Sequence, residues 1–355
     1  MNYYYLNAIG EQPLYIKKKE DRDAVIDNII RLREHLSDKK KGIPEKRLTG
    51  NLILGTWNLR ELGNTKYGGR MPESLYYIAE IISRFDLVAI QEVRDQLGDF
   101  NKICRILGND WGVFTSVVTQ GASGNRERLA YVYDKRTVAF RNIAGQIILP
   151  ESKDTETTQF ARSPYIIRFQ SGWLKFDICT AHIYYGKDAK NSEEYQRRVN
   201  EIATITGHLK KYYIEKKEAN NVFLLGDFNI EDTKSATYKA ATSSAFKIPE
   251  AILGKNLFSN AKQDKIYDQI LYYNQFSDIT FTKAGVFNYY ESVFDNLKNY
   301  ASRINGHQSK KIDSEKTFND FRTYQMSDHF PLWIEMNTDH TESYLGMIKN
   351  KKPLL

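Results

Sequence analysis

Short runs of apolar residues, many of them bordered by polar residues, recur along most of the chain and constrain its fold more than any other feature. Most of these runs are apolar on both faces, which is typical of strands buried between two other layers. Helical patterns alternate with them, so the sequence predicts an α/β protein in which helices cover a sheet. The runs are NLILGTW, DLVAIQ, LAYVY, YIIRF, KFDICTAH, NVFLLGD, KIYDQILYY and PLWIEM.

The composition is that of a globular protein with a substantial core. Of the 355 residues, 41% are hydrophobic and 27% are charged, which excludes a disordered tail or a fibre. No apolar run reaches the roughly 18 residues that a membrane span needs, and the first residues lack the pattern of a secretion signal. We therefore expect a cytoplasmic protein without stable membrane association, with non-classical export left open. The net charge of +7 favours polyanionic partners without selecting one.

The chain divides into an N-terminal extension, a body and a C-terminal tail. Apolar residues of the extension recur at helical spacing and predict an amphipathic helix that packs against another part of the protein. The basic segment that follows, DKKKGIPEK, is typical of a linker. A long surface loop is expected between Asn274 and Met326, and the tail is expected to be frayed. The predicted extension, body and tail are residues 1–47, 48–336 and 337–355.

Several of the apolar runs end in polar residues that a buried strand would not normally contain. In layered α/β folds the strand ends form the floor of the active-site crevice, so these side chains are candidates for chemistry. Asp268 differs because it lies inside KIYDQILYY, where a buried carboxylate needs a cationic or hydrogen-bonding partner. The strand-end residues are Asn58, Gln91, Glu92, His182, Asp227, Asn229, Ser327, Asp328 and His329.

Taken singly, each of these residues has a structural explanation. The GDFN segment can form a turn, and a lone histidine is more often a core or surface residue than a catalytic one. Together they fit phosphodiester hydrolysis, which needs a Lewis-acid cation, a base, an acid and hydrogen-bond donors. The oxygen atoms of Glu92, Asn58 and Asp328 are ligands of the kind that magnesium prefers. Two histidines, each beside a carboxylate, could supply the acid and the base.

The motifs that carry these residues resemble those of the endonuclease/exonuclease/phosphatase superfamily, and within it the deoxyribonuclease I family. They occur in the family's order and cover roughly residues 50 to 336. The resemblance implies a four-layered α/β sandwich of two packed, mostly antiparallel sheets flanked by helices, with a metal-dependent cleft across the top. The matching segments are TWNLR, LVAIQEVRD, NRERLAYVYD, ARSPYIIRF, TAHIYY, LLGDFNIED, IYDQIL and MSDHFPL.

The resemblance also implies roles for the metal ligands and for the acid and base. Glu92 is then the principal metal ligand, with Asn58 and Asp328 close by. His182 and His329 form the acid–base pair, and which of them is the base stays open because the site is nearly symmetric.

Four further residues take supporting roles by the same resemblance. Glu127 would orient His182, and Asp268 would orient His329, which would explain a carboxylate inside a buried strand. Asp227 and Asn229 would hold the scissile phosphate and the attacking water.

The substrate is a separate question, because the same constellation serves nucleases, phosphoinositide phosphatases and sphingomyelinases. Three arginines at family positions, Arg60, Arg94 and Arg162, favour DNA. We therefore predict a Mg²⁺-dependent DNA endonuclease with little sequence specificity that leaves 5′-phosphate and 3′-hydroxyl ends. Mn²⁺ is expected to substitute for Mg²⁺, and Ca²⁺ is a candidate structural ion. One departure is Asn125, which stands where the family has a tyrosine that stacks on the sugar.

Two alternatives stay open. The first is another phosphodiesterase of the superfamily, acting on RNA or on a phospholipid or sphingomyelin headgroup. A lipid enzyme would expose an apolar loop, and the aromatic residues between Asn274 and Met326 do not decide this point. The second, a binding module without activity, is disfavoured because every matched catalytic position holds a competent residue. The extension could pack on the body, bind a partner or restrain an activity, and packing is favoured.

Overall fold

Two β-sheets and the helices around them form the described part of the chain. The computed structural model describes residues 1–7, 14, 16–119, 124–149, 159–187, 189–219, 221–275, 279–307 and 311–349. Strands β1 to β11 span Asn51–Leu62, Leu87–Arg94, Trp111–Thr115, Glu127–Asp134, Ala139–Gln146, Tyr165–Ser171, Leu174–His182, Asn221–Asp227, Asp268–Asn274, Phe281–Val286 and Leu332–Asn337. Helices α1 to α9 span Tyr4–Asn7, Lys19–Leu36, Pro72–Ile82, Gly98–Leu107, Glu193–Leu209, Ala236–Thr242, Ala301–His307, Glu315–Gln325 and Thr341–Lys349.

The two sheets pack face to face and are covered by helices on their outer sides. One sheet has the strand order β10-β11-β1-β2-β4-β3, and the other has the order β5-β6-β7-β8-β9. Neighbouring strands run antiparallel except β1 with β2 and β7 with β8, which are parallel. One apolar core lies between the two sheets. Each sheet has one further apolar core on its other face, under its helices. The predicted four-layered α/β sandwich is confirmed.

Strand β1 shows why the apolar runs have no polar face. Leu52 and Leu54 belong to the core between the sheets, whereas Ile53 belongs to the core under the helices. Successive side chains of a strand point to opposite faces, so a strand covered on both faces is apolar throughout.

The extension contains the predicted amphipathic helix, α2, and its apolar side packs into the core of the body. Val25, Ile29, Leu32 and Leu36 are buried in the same core as helix α3. Burial of side chains of this size stabilises a protein by about 1.5–3 kcal/mol each. The boundary between the extension and the body stays a prediction.

The expectations of a long surface loop and of a frayed tail are wrong for most of the described residues there. The loop tract contains β10, α7 and α8, and its aromatic residues Phe287, Tyr289 and Phe294 are fully buried. The tail forms helix α9, in which the Tyr344 ring lies 5.2 Å from that of Trp173. Residues 276–278, 308–310 and 350–355 lie outside the described residues. No described helix is both long and apolar enough to cross a bilayer.

Candidate active site

The polar residues predicted at strand ends lie along one edge of the two packed sheets. Parallel strands end at a common edge, which brings Asn58 of β1 beside Glu92 of β2. In the second sheet, His182 and Asp227 are paired at the ends of β7 and β8. Asp268 begins β9 directly opposite Asp227. The sheet topology therefore gathers residues from five segments of the sequence into one place.

The backbone around Glu92 has an irregular conformation that directs this side chain. Glu92 has a φ of 61°, and the strand pairing of β2 shifts register at this point. On β1, Arg60 and Glu61 also have positive φ values, of 27° and 49°. Such residues cost about 1–3 kcal/mol each and cluster at functional sites. The backbone N–H of Glu61 donates a 2.8 Å hydrogen bond to Oε2 of Glu92, which fixes the carboxylate.

A buried carboxylate holds each of the two predicted acid–base histidines. Nδ1 of His182 lies 3.0 Å from Oε2 of Glu127, and Nδ1 of His329 lies 2.7 Å from Oδ2 of Asp268. Nε of Arg162 donates to the same Glu127 oxygen at 2.7 Å. A carboxylate at Nδ1 fixes the tautomer and the orientation of the ring and leaves Nε2 for chemistry. The structure thus brings together both pairs that the family resemblance implied.

Asp227 lies between the two histidines. Its Oδ2 atom is 3.7 Å from Nε2 of His182 and 3.7 Å from Nε2 of His329. The same oxygen accepts a 2.9 Å hydrogen bond from Nδ2 of Asn58, and Oδ1 accepts the backbone N–H of Asn229. The two imidazoles therefore face one shared region.

The carboxylates set the protonation of the histidines. Burial lowers the pKa of His182, as does Arg162, but Glu127 and Asp227 outweigh both and raise it. For His329, burial is outweighed in the same way by Asp268 and Asp227, and its pKa lies well above the usual range. Burial alone would raise the pKa of Glu127, yet His182 and Arg162 lower it to about 2. Glu127 is therefore ionised at neutral pH.

The acidic groups beside the histidines fit a hard divalent cation. Burial raises the pKa of Glu92, and the nearby Glu127 and Asp328 raise it further, against the lowering effect of His182. Among the described residues, neither Glu92 nor Asp227 forms a salt bridge with a lysine or arginine. Only the two imidazoles pair with these carboxylates within the described residues, and carboxylate oxygen atoms are ligands that Mg²⁺-like ions prefer.

The predicted metal ligands are only partly grouped by the structure. Ligand atoms of Glu92, His182 and Asp227 all lie within 4.8 Å of one another. Asn58 lies beside this group: its Nδ2 donates to Oε1 of Glu92 at 2.8 Å, while its Oδ1 accepts the backbone N–H of Arg60. Asp328 is not in the group, and its Oδ2 lies 3.6 Å from Nε of Arg60.

The three predicted DNA-binding arginines have different positions. Arg162 is buried against Glu127 and borders the cleft, and Arg60 stacks its guanidinium 3.9 Å above the ring of Tyr324. Arg94 does not border the cleft. It donates a 2.7 Å hydrogen bond to the backbone oxygen of Asn125, which lies at the rim.

A cleft of about 940 Å³ lies above the histidines, and the sequence analysis did not predict one of its walls. Helix α8 supplies this wall, in the tract that was expected to be a loop. The sequence does contain a pattern that indicates this helix. Ser314 caps it, and Phe318, Phe321 and Gln325 are buried at helical spacing. The bordering residues that the sequence did not suggest include Glu61, Tyr185, Asn260, Lys262, Lys265, Tyr267, Asn319, Asp320, Arg322, Thr323 and Tyr324.

Solved structures show which fold the chain has. An endonuclease/exonuclease/phosphatase family protein from Bacteroides thetaiotaomicron aligns with a TM-score of 0.53 at 16% identity, covering 81% of this chain and 98% of that one. A mannosyl-6-phosphatase of the same species has a TM-score of 0.53 at 16% identity, covering 80% and 99%. TDP2 of D. rerio, complexed with a single-strand DNA product, has a TM-score of 0.52 at 15% identity, covering 81% and 99%. The chain has the endonuclease/exonuclease/phosphatase fold.

Sequence comparison finds deoxyribonucleases among curated relatives. Deoxyribonuclease-1 of Gallus gallus is 22% identical over 216 residues, which are 58% of this chain and 72% of that protein. A deoxyribonuclease of Thioalkalivibrio sp. (strain K90mix) is 28% identical over 190 residues, 51% of this chain and 46% of that protein. No family model matches the chain. The fold and these relatives confirm the predicted resemblance and support a hydrolase of the endonuclease/exonuclease/phosphatase superfamily.

Proposed function

We propose that the protein is a metal-dependent endonuclease that hydrolyses the phosphodiester bonds of DNA with little sequence specificity, leaving 5′-phosphate and 3′-hydroxyl ends. The observation that carries the proposal is the pair of histidines, His182 and His329, whose Nε2 atoms each lie 3.7 Å from one oxygen of Asp227. This arrangement lets one imidazole face the attacking water and the other face the leaving group of a single phosphate.

In this mechanism the two histidines transfer protons in opposite directions. One imidazole accepts a proton from the attacking water, and the other donates a proton to the departing 3′ oxygen. Glu127 and Asp268 keep each Nδ1 hydrogen-bonded, so that each Nε2 atom is available. Either histidine can be the base, because each has the same kind of partner.

The remaining predicted residues bind the phosphate and the metal. Asp227 and Asn229 hold the scissile phosphate and the water at the centre of the site. Glu92, with Asn58 and Asp328 nearby, would hold Mg²⁺ or Mn²⁺, and when bound this ion stabilises the negative charge of the transition state. Ca²⁺ as a structural ion stays a prediction.

The choice of DNA is supported by the deoxyribonuclease relatives and by the basic side chains of the cleft. Arg60, Arg162, Lys262, Lys265 and Arg322 border it, and such side chains bind phosphates whatever the base sequence. Affinity should therefore fall steeply as salt concentration rises. Arg94 is proposed to reach a groove of the duplex from the rim. A cytoplasmic location stays a prediction.

A comparison of substrates tests the proposal. The full chain is incubated with Mg²⁺ and with supercoiled plasmid, RNA, an abasic duplex, sphingomyelin and mannose 6-phosphate, each also in EDTA. The proposal predicts Mg²⁺-dependent cleavage of the plasmid that exceeds turnover of RNA, sphingomyelin and mannose 6-phosphate, with 5′-phosphate ends and no preference for the abasic site of the duplex. Faster turnover of RNA, sphingomyelin or the sugar phosphate would contradict DNA as the substrate.

A further inference from the structure

A second, basic groove lies between the N-terminal extension and the edge of one sheet. It encloses about 900 Å³ and is bordered on one side by the segment from His35 to Arg47. Its other side is β10, the edge strand of the six-stranded sheet, together with part of the loop that precedes β9. We refer to it as the extension groove. Its exposed basic residues that form no salt bridge with any described residue are Lys39, Lys40, Arg47, Lys255 and Lys283.

The charges of the extension groove are unbalanced. All five of these basic residues are exposed, and none forms a salt bridge with an acidic side chain within the described part of the chain. Four acidic residues border the groove, and two of them have partners: Glu291 pairs with Lys41 at 2.6 Å, and Glu335 accepts hydrogen bonds from Asn51 and Thr282. The exposed Glu45 forms no salt bridge within the described part of the chain. Asp38 accepts the backbone N–H groups that follow helix α2. Seven lysine and arginine residues border the groove against these four acidic residues, so the groove has a net positive charge.

The extension groove and the catalytic cleft share a border. The turn from Asn260 to Lys265 separates them, with Lys262 and Lys265 on the cleft side and Gln263 on the groove side. Asn260 is bridged to His329, which fixes the turn beside the catalytic centre. On the groove side of the turn, the next basic side chain is that of Lys255. A polyanion that leaves the cleft over this turn would meet the groove next.

We propose that the extension groove is a second binding site for the sugar–phosphate backbone of duplex DNA. This inference rests on the proposed function, because the DNA that it binds is the same molecule that the cleft cleaves. Five basic side chains without acidic partners suit a chain of phosphates. The extension would then lengthen the DNA segment that the protein contacts beyond what the cleft alone can hold.

The experiment measures binding of DNA of two lengths to the full chain in EDTA, where cleavage is not expected. Fluorescent duplexes of about 8 and about 30 base pairs are titrated over a range of salt concentrations. The variant carries Lys39→Glu, Lys40→Glu and Lys255→Glu. We expect it to bind the long duplex at least about tenfold more weakly. The slope of log affinity against log salt concentration should become shallower by the amount that about three lost phosphate contacts would give. Binding of the short duplex should change by less than about twofold.

A matched control carries Lys175→Glu, Lys211→Glu and Lys216→Glu, three exposed lysines outside both the cleft and the groove. It changes the net charge by the same amount, so equal weakening by both variants would overturn the proposal. Unchanged affinity of the groove variant for the long duplex would also overturn it, as would an equal loss for the short duplex. Thermal unfolding of each variant verifies folding. A selective loss of long-duplex affinity in a chain that cleaves no DNA would support the groove and contradict the proposed function.

Discussion

Asp268 holds His329 through a 2.7 Å contact between Oδ2 and Nδ1, and both residues are almost fully buried. The negative charge of Asp268 is one reason why the pKa of His329 lies well above its usual range. Asp268 therefore both positions the imidazole of His329 and favours its protonated form. A substitution that keeps the shape of Asp268 but removes its charge separates these two effects.

Asp268→Asn keeps the shape of the side chain and removes its charge. We expect the pKa of His329 to fall, because a carboxylate that favours the imidazolium is lost. The limb of the pH–rate profile that belongs to His329 should move to lower pH, and kcat should fall about 10- to 100-fold with little change in KM. Asp177→Asn, which removes a buried aspartate paired with Arg168, is the control. An unchanged pH profile in Asp268→Asn would contradict the positioning role.

The pKa of Glu127 predicts a loss of stability in acid. Its folded-state pKa of about 2 lies below its ordinary value of 4.5 because His182 and Arg162 favour the ionised form. A lowered pKa stabilises the fold above the ordinary value, and this contribution disappears as the pH falls from about 4.5 towards 2.

Glu127→Gln should therefore lower the free energy of unfolding by up to about 3 kcal/mol at pH 7 and by much less near pH 3. Urea unfolding in EDTA at several pH values measures the difference. The same loss at both pH values would show that packing, not charge, is responsible.

Binding of a divalent ion should stabilise the folded protein through Glu92. Mg²⁺ at about 100 times its dissociation constant would add about 2.7 kcal/mol, which raises the melting temperature by at least about 2 °C. Glu92→Gln should abolish most of this increase, because the carboxylate at the centre of the acidic group is removed. Glu61→Gln, a change at another glutamate of the cleft, should retain it. If Mg²⁺ raises the melting temperature of Glu92→Gln as much as that of the wild-type protein, Glu92 is not the principal metal ligand.

The sheets and much of the site follow from patterns that one sequence contains. Strands covered on both faces have no polar side, so the polar residues at their ends stand out against the apolar runs. Asp268 was the clearest case, because a carboxylate within such a strand requires a partner, and His329 provides it. The assignment of roles came instead from the family resemblance, since spacing alone cannot show which histidine meets which carboxylate.

The tract from Asn274 to Met326 could not be interpreted in this way. Its composition is polar, and its aromatic side chains pack in the core through contacts distant in sequence. The hydroxyl of Tyr289 donates to the backbone oxygens of Ser327 and His329, and that of Tyr290 also donates to Ser327. The bulge that turns Glu92 into the site was equally hidden, because no glycine marks its position.

The burial of this tract predicts that the protein does not bind lipid surfaces through it. Phe287, Tyr289 and Phe294 are fully buried and Tyr290 is 8% exposed, so they form no apolar surface for a bilayer. Flotation with vesicles that contain sphingomyelin should leave the protein in the unbound fraction at physiological salt. Binding that is lost when the vesicles lack sphingomyelin would instead favour the lipid phosphodiesterase alternative.

Nicking of supercoiled plasmid by histidine variants tests the central mechanism most directly. With Mg²⁺, the wild-type chain should convert the plasmid to open circles, and EDTA should stop the reaction. His182→Ala and His329→Ala should each slow nicking by about 10²- to 10⁴-fold, whereas His208→Ala, on helix α5, should not. If both cleft variants nick the plasmid at the wild-type rate, the two histidines are not its acid and base, and the proposed mechanism is wrong.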